Sequence, residues 1–375
     1  MYEDRIITDS KFPKLKAFFT PENTSWVVFG GIILAGIIVR IFLWDFSSTD
    51  MDVWKQAAEL LISGQNPYET TLESFQLEGV KHFYAYFPLW MYICSLVLLI
   101  FPEGAFFPLI KGLILVFDIQ VVILLFTILK PKVKDHWRLK IPVAIWFVTP
   151  IVLMTSSMHG KFDSLMFVFI LLACMFYEHD EFILDSVFIS LAILTKPIAL
   201  ILVPFFFRKN LRERNLSKVF SRIGIIIGLL LLFSAPFLHD PITYIKGVLG
   251  VHVTRNHDMG PIFALLSLPF SSPRADTIIR YCLTGAIIAV WILIIVLSFV
   301  KKTDIYKCML FTFIAFNSLY WVFLVQYTVW IYVFYIVVTS KGKLKHWQLG
   351  TLTSFIIIFS TTMLALIGAF VKVGL

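Results

Sequence analysis

The chain has 375 residues, of which 59% are hydrophobic and only 15% charged, with a formal net charge of +8. A soluble domain carries about 45–50% apolar and about 25% charged residues, so this composition argues against a water-soluble fold. The positive balance is scattered among short connectors rather than gathered into one patch, which argues against nucleic acid as a partner.

Apolar runs follow one another along the chain: Trp26–Trp44, Pro88–Phe101, Phe106–Leu129, Ile141–Met158, Phe162–Tyr177, Phe182–Phe207, Ile223–Leu238, Thr277–Val300, Cys308–Val325, Thr328–Thr339 and Leu349–Val371. A helix needs about 20 apolar residues to cross a hydrocarbon core of about 30 Å. The runs lack period-two alternation, and lipid tolerates only helices or closed barrels. The expected fold is therefore an all-α polytopic membrane protein of roughly 10–12 transmembrane helices, a single domain over residues 1–375. The first run has no small-residue cleavage site after it and reads as an uncleaved anchor.

Lys and Arg collect in Arg5–Lys16, Lys130–Lys140, Arg208–Arg222, Lys301–Lys307 and Lys341–Lys345. Such connectors stay cytoplasmic, which puts residues 1–24 inside. Residues 45–87 carry seven acidic side chains against Lys55 and Lys81 and form the expected first external loop. With all basic connectors on one side, an odd number of crossings is needed between residues 88 and 129. The first of the two runs there is short for a span. An even number is needed between Lys140 and Arg208, where only three runs lie. Lys196-Pro197 offers a solution, because proline removes a helical hydrogen bond and restricts the residue before it. A break there predicts two half-helices. A kink with Lys196 snorkelling is the alternative.

In the first loop Val53, Ala57, Leu60 and Leu61 share one helical face, so Asp52–Ile62 is expected as an amphipathic helix lying on the membrane. Two readings of its start remain open. Thr49 or Asp50 caps the helix while Asp52 favours its positive end. Or Asp50 takes a proton from an acceptor hydroxyl, or Asp50 and Asp52 together hold a divalent cation. The aromatic cluster Phe83-Tyr84-Ala85-Tyr86-Phe87-Pro88-Leu89 is either a set of interfacial anchors or a platform for sugar or lipid.

Further polar stretches fall on the same external side. His159-Gly160-Lys161-Phe162-Asp163-Ser164, Thr195-Lys196-Pro197, His252–Asp258 and Gln326-Tyr327 bring Lys161, Lys196 and Arg255 together with His159, His252 and His257. An intramembrane lysine is costly and calls for a polar cavity or an anionic partner. The inventory suits an anionic phosphate beside a hydroxyl being deprotonated. Cys94, Cys174, Cys282 and Cys308 form no CxxC pair, so no zinc site or disulfide framework is indicated.

The ordered motifs resemble the polyprenyl-phosphate-sugar-dependent glycosyltransferases of the GT-C superfamily. They are Thr49-Asp50-x-Asp52, Gly64-x-Asn66-Pro67-Tyr68, Tyr84-x-Tyr86-x-Pro88-Leu89, His159-Gly160-x-Phe162-Asp163-Ser164, Lys196-Pro197, His252-x-Thr254-Arg255 and Gln326-Tyr327-x-x-Trp330. The first, sixth and last look most like the enzymes adding the first mannose to GPI precursors, and prokaryotic polyprenyl-linked mannosyltransferases share the layout. The resemblance implies a lipid-phosphate sugar donor, with mannose the expected sugar, and a glycolipid or glycan acceptor in a prokaryotic plasma membrane or an endoplasmic reticulum. It implies inversion with Asp50 as base and Asp52 second, and Lys196, Arg255 and Lys161 on the phosphate. Tyr68, Tyr84, Tyr86, His159, Asp163, His252, His257, Gln326 and Tyr327 would meet substrate. No cofactor or metal is implied. The reading from another class is a transporter or lipid flippase, which would also use intramembrane charges and a broken helix.

Overall fold

The structure is a computed structural model, and it describes residues 20–46, 48–76, 84–250, 252, 262, 263, 266, 273–322, 324 and 326–342. Among these residues there are helices and no strands. We number the main helices α1 (Pro21–Phe42), α2 (Thr49–Ile62), α3 (Pro67–Gln76), α4 (Leu89–Ile100), α5 (Phe106–Leu129), α6 (His136–Val148), α7 (Asp163–Glu178), α8 (Phe182–Thr195), α9 (Val203–Arg212), α10 (Leu216–Ser234), α11 (Pro241–Ile245), α12 (Pro273–Val300), α13 (Ile305–Leu319) and α14 (Tyr327–Ser340).

Among the described residues, four helical stretches are long and apolar enough to cross a membrane: Pro21–Phe42, Glu103–Leu129, Leu216–Phe237 and Arg274–Val300. A fifth crossing is available if α6 is joined to Pro150–Met158, from which it is bent by 41°. Thr149-Pro150 makes that bend, since a proline leaves the residue before it non-helical. The other apolar runs fold as shorter helices. The run Leu349–Val371 lies outside the described residues.

Two local features bear on the number of crossings. α4 has 12 residues and so rises about 18 Å, short of a span, which leaves α5 as the full-length helix between residues 88 and 129. The Lys196-Pro197 break is present: α8 stops at Thr195, Lys196 is extended (φ −143°, ψ 126°), and a 3₁₀ turn over Pro197–Leu202 leads into α9.

Ion pairs sort the connectors into two ends of the bundle. At one end Lys132 and Lys341 both pair with Glu178, Lys209 pairs with Asp180, and Lys341 also reaches Asp304. Arg208 and Arg212 donate there to the carbonyls of Thr303 and Ser298. Lys140 donates to Ser25 Oγ at the start of α1, 2.8 Å away. The described basic connectors therefore share an end. α1 runs to the other, where Lys111 of α5 donates to the carbonyls of Leu43, Trp44 and Phe46.

The interior between the ends is apolar but stitched by charge. α7 is its centre, buried along most of its length against α5, α8 and α14. Gly36 allows α1 to close on α6, since a Cβ there would stand 2.6 Å from the Phe147 ring. Arg40 lies 3.7 Å from the centroid of that ring and pairs with Asp118 at 3.1 Å. Arg222 grips Asp185 through both Nη atoms and donates to Asn210 Oδ1. Buried charges in lipid require such partners.

A second, aromatic core covers the end opposite the basic connectors, formed by Trp54, Tyr68, Tyr84, Trp90, Phe106, Phe162, Phe237 and Tyr244 among others. The amphipathic helix belongs to it and differs from expectation. It begins at Thr49, and it buries Met51, Val53, Trp54, Ala57 and Ala58. Its apolar face is thus applied to α4 and the aromatic core, and Leu60 is left at the margin. Trp54 and Trp90, packed edge to face at 5.6 Å, make protein the better partner for that face.

Candidate active site

The segment His159–Ser164 organises the site. It leaves the π-helical turn Leu153–Met158 through Gly160, whose φ of +62° favours glycine. Five polar contacts then fan out from six residues. Ser48 donates its hydroxyl to the His159 carbonyl at 2.6 Å. Lys161 pairs with Asp50. Asp163 Oδ1 accepts from Lys196 Nζ at 2.8 Å and from Trp330 Nε1 at 2.6 Å. Ser164 donates to Asp118. Lys161 and Asp163 are two residues apart, so the two ion pairs start from Cα atoms within about 7.6 Å of each other.

Asp50 stands in the first turn of α2, half-exposed. Ser48 is the N-cap, and it spends its hydroxyl on His159 rather than on the helix. Neither Thr49 nor Asp50 caps, which removes the capping alternative for Asp50. Asp52 is exposed two residues along the same helix, turned about 200° from Asp50 around the axis. That orientation does not converge the two carboxylates on one ion. Lys161 is engaged with Asp50 rather than set on the cavity described next.

Lys196 sits where α8 ends, its side chain 4% exposed. Its ammonium lies 5.0 Å from the Phe162 ring centroid and 5.6 Å from that of Tyr86. Beside it opens a cavity of about 400 Å³ lined by Tyr86, Lys196, His252, Gln326, Tyr327 and Trp330 on its polar side. Leu200, Ile201, Leu249, Phe316 and Leu324 complete an apolar wall. His252 is oriented by its Nε2–H donating to the Ala85 carbonyl at 2.8 Å, while its own carbonyl accepts from the Tyr320 hydroxyl.

The remaining expected residues divide. Tyr86, Lys196, His252, Gln326 and Tyr327 meet on the cavity wall, with Asp163 directly behind Lys196. His159 joins the site through its backbone carbonyl, and its ring is exposed. Tyr68 and Tyr84 are buried behind Tyr86 and do not line the cavity. The Tyr68 hydroxyl donates to the Tyr86 carbonyl, and that of Tyr84 to the Phe87 carbonyl while accepting from Met91 N. Burial pushes both phenols well above their ordinary range, so they remain hydroxyl donors. Arg255 and His257 lie outside the described residues. Trp330 and Lys111 were not foreseen as site residues. Lys111 carried the same signal as Lys196, a cation within an apolar run.

The model of glycosyltransferase family 87 matches residues 84–304, more than half of the chain. The chain belongs to glycosyltransferase family 87. That family is of the polyprenyl-phosphate-dependent GT-C type, so this family 87 protein is a membrane glycosyltransferase, and the transporter reading yields to it. No curated protein matches the chain. The matched stretch takes in Tyr86, the His159–Ser164 segment, Lys196 and His252. Asp50 and the Gln326-Tyr327-x-x-Trp330 turn lie beyond it and join the site through Lys161 and Asp163.

Proposed function

We propose that this chain transfers a sugar, mannose first among the choices, from a polyprenyl-phosphate donor to a glycolipid or glycan acceptor on the non-cytoplasmic face, with inversion at the anomeric carbon. The observation that carries the reading is the apolar cavity with the Lys196 ammonium at its polar end; the ring of Phe162, next in sequence to the Lys161 that pairs with Asp50, packs against that ammonium. An isoprenoid tail suits the Leu200, Ile201, Leu249 wall, and Lys196 suits the phosphate at its head.

The acceptor oxygen attacks the anomeric carbon as the bond from that carbon to the phosphate oxygen breaks. Asp50 takes the acceptor proton once Lys161 yields to it, a step that general-base catalysis makes worth about 10²–10⁴ in rate. The leaving lipid phosphate is a stable anion that needs countercharge more than a proton, supplied by Lys196 and, in this reading, Arg255. In this reading Lys196 holds the charge the donor phosphate already carries, and Arg255 meets the charge that develops as the bond breaks; a cation aimed at developing charge in a water-poor site is worth several kcal/mol. The reading is metal-free, with Asp52 in a supporting role. Two features speak for the non-cytoplasmic face: the acidic first loop forms the site's end, and the basic connectors share the opposite end.

The test is purified protein assayed with polyprenyl-phosphate-mannose, the matching glucose donor and a panel of glycolipid acceptors. Lys196→Met is expected to raise donor KM sharply and leave acceptor KM near that of the native protein. Transfer from neither lipid-phosphate sugar, with transfer from a nucleotide sugar instead, would overturn the donor assignment.

A further inference from the structure

Lys196 meets the cavity with its charge already balanced. Asp163 lies 2.8 Å behind the ammonium, and the two side chains are 4% and 2% exposed. Asp163 Oδ1 serves Lys196 and the Trp330 indole together, so the carboxylate is held in place from two elements. Its other oxygen, Oδ2, is buried and has no hydrogen-bond partner among the described residues, so the carboxylate is met by Lys196 and the indole through Oδ1 alone. An anion entering beside Lys196 therefore meets a cation in front and an anion behind it.

We propose that Asp163 is a specificity-determining residue that makes this cavity favour a singly charged phosphodiester over a doubly charged phosphomonoester. The inference rests on the donor reading above and deepens it. Sugar transfer converts the first kind of ligand into the second, because cleavage of the bond between anomeric carbon and oxygen leaves the lipid phosphate as a monoester. A monoester carries close to two charges above its second ionisation near pKa 6. Lys196 alone would bind that product more tightly than the donor and retain it. Asp163 repels the added charge from within a few ångströms, where the site is dry enough for the repulsion to matter. The product then loses its hold at the moment it forms.

Full-length protein in detergent micelles at about pH 7.5 is titrated calorimetrically with geranyl phosphate and with its methyl diester. The tail is common to both, and only the phosphate charge differs. Wild type is expected to bind the diester as tightly as the monoester, within about threefold. Asp163→Asn keeps an acceptor oxygen for Lys196 and Trp330 and is expected to shift the ratio toward the monoester by about tenfold or more. A wild type that already prefers the monoester tenfold overturns the inference, whether or not the variant folds. So does an unchanged ratio in a folded Asp163→Asn. Failure of both probes to bind wild type removes the donor reading itself, a distinct outcome that takes the inference with it.

Discussion

Replacing Gly160 with alanine perturbs the hinge from which both candidate ion pairs hang. Gly160 has φ +62°, and a Cβ built there stands 2.5 Å from Met51 Sδ and 3.0 Å from Met51 Cγ. The left-handed backbone costs an L-residue roughly 1–2 kcal/mol. Met51 is a flexible side chain, but it is fully buried, so its displacement adds an overpacking cost of about 1–3 kcal/mol. Gly160→Ala is thus expected to destabilise by roughly 2–5 kcal/mol, the sum of those two costs. Met51→Ala removes the overlap and leaves the backbone cost. In that background Gly160→Ala should cost only about 1–2 kcal/mol, a coupling of about 1–3 kcal/mol. Unfolding by SDS titration in mixed micelles measures all four proteins of the cycle. Turnover should fall in parallel by up to about a hundredfold, because an ångström of misplacement at a catalytic group costs that much. Equal destabilisation in both backgrounds would show that the close approach of Met51 to Gly160 is not energetically real. Undiminished turnover in the single variant would show that this hinge does not position the site.

Asp50→Asn keeps the size and one acceptor oxygen, and it should lower kcat by about 10²–10⁴ with donor binding retained. Asp52→Asn should cost less, and activity lost to a chelator and restored by Mg²⁺ or Mn²⁺ would overturn the metal-free reading. Lys111→Met withdraws the ammonium from the carbonyls of Leu43, Trp44 and Phe46, loosening the chain that leads into Asp50. It should reduce kcat more than it alters donor KM, and a pure KM effect would contradict that role. With Cys282, the exposed native cysteine, replaced by serine, Gln65→Cys and His239→Cys should both react in intact cells with an impermeant thiol reagent, and Lys134→Cys should not. Labelling of Lys134→Cys alone would invert the proposed orientation, and labelling of only one of the first two would break the shared face.

The parts of this molecule legible in sequence are those fixed by local chemistry. Pro197 ends α8 whatever surrounds it, and the acidic start of α2 carries its helix signal within four residues. Pairing was not legible. Lys161 finds Asp50 across 111 positions, and Lys196 finds Asp163 across 33, so both lysines read as free cations until the chain was folded. Tyr84 resembled an interfacial aromatic because nothing in the order of residues distinguishes a phenol that meets lipid from one that meets a backbone carbonyl. The cavity wall was hidden for a related reason. In a chain that is 59% hydrophobic, Leu249 or Phe316 lining a groove has no contrast with the residues around it.

α7 has an anchored carboxylate at each extremity, Asp163 on Lys196 and Trp330, Glu178 on Lys132 and Lys341. Its 16 residues make a post about 24 Å tall, and sliding it along its axis would break ion pairs at both feet. α12 is held mainly at its C-terminal end, where Arg208 and Arg212 donate to the Ser298 carbonyl, and only 11% of its apolar window is buried. When the surrounding bilayer thickens or thins, the outer helix can therefore pivot about that end, while the distance from the cavity to the basic end stays set by α7. Turnover in vesicles of increasing acyl-chain length should stay nearly level over the range where α12 re-orients, and a steep optimum would mean that the post is not rigid.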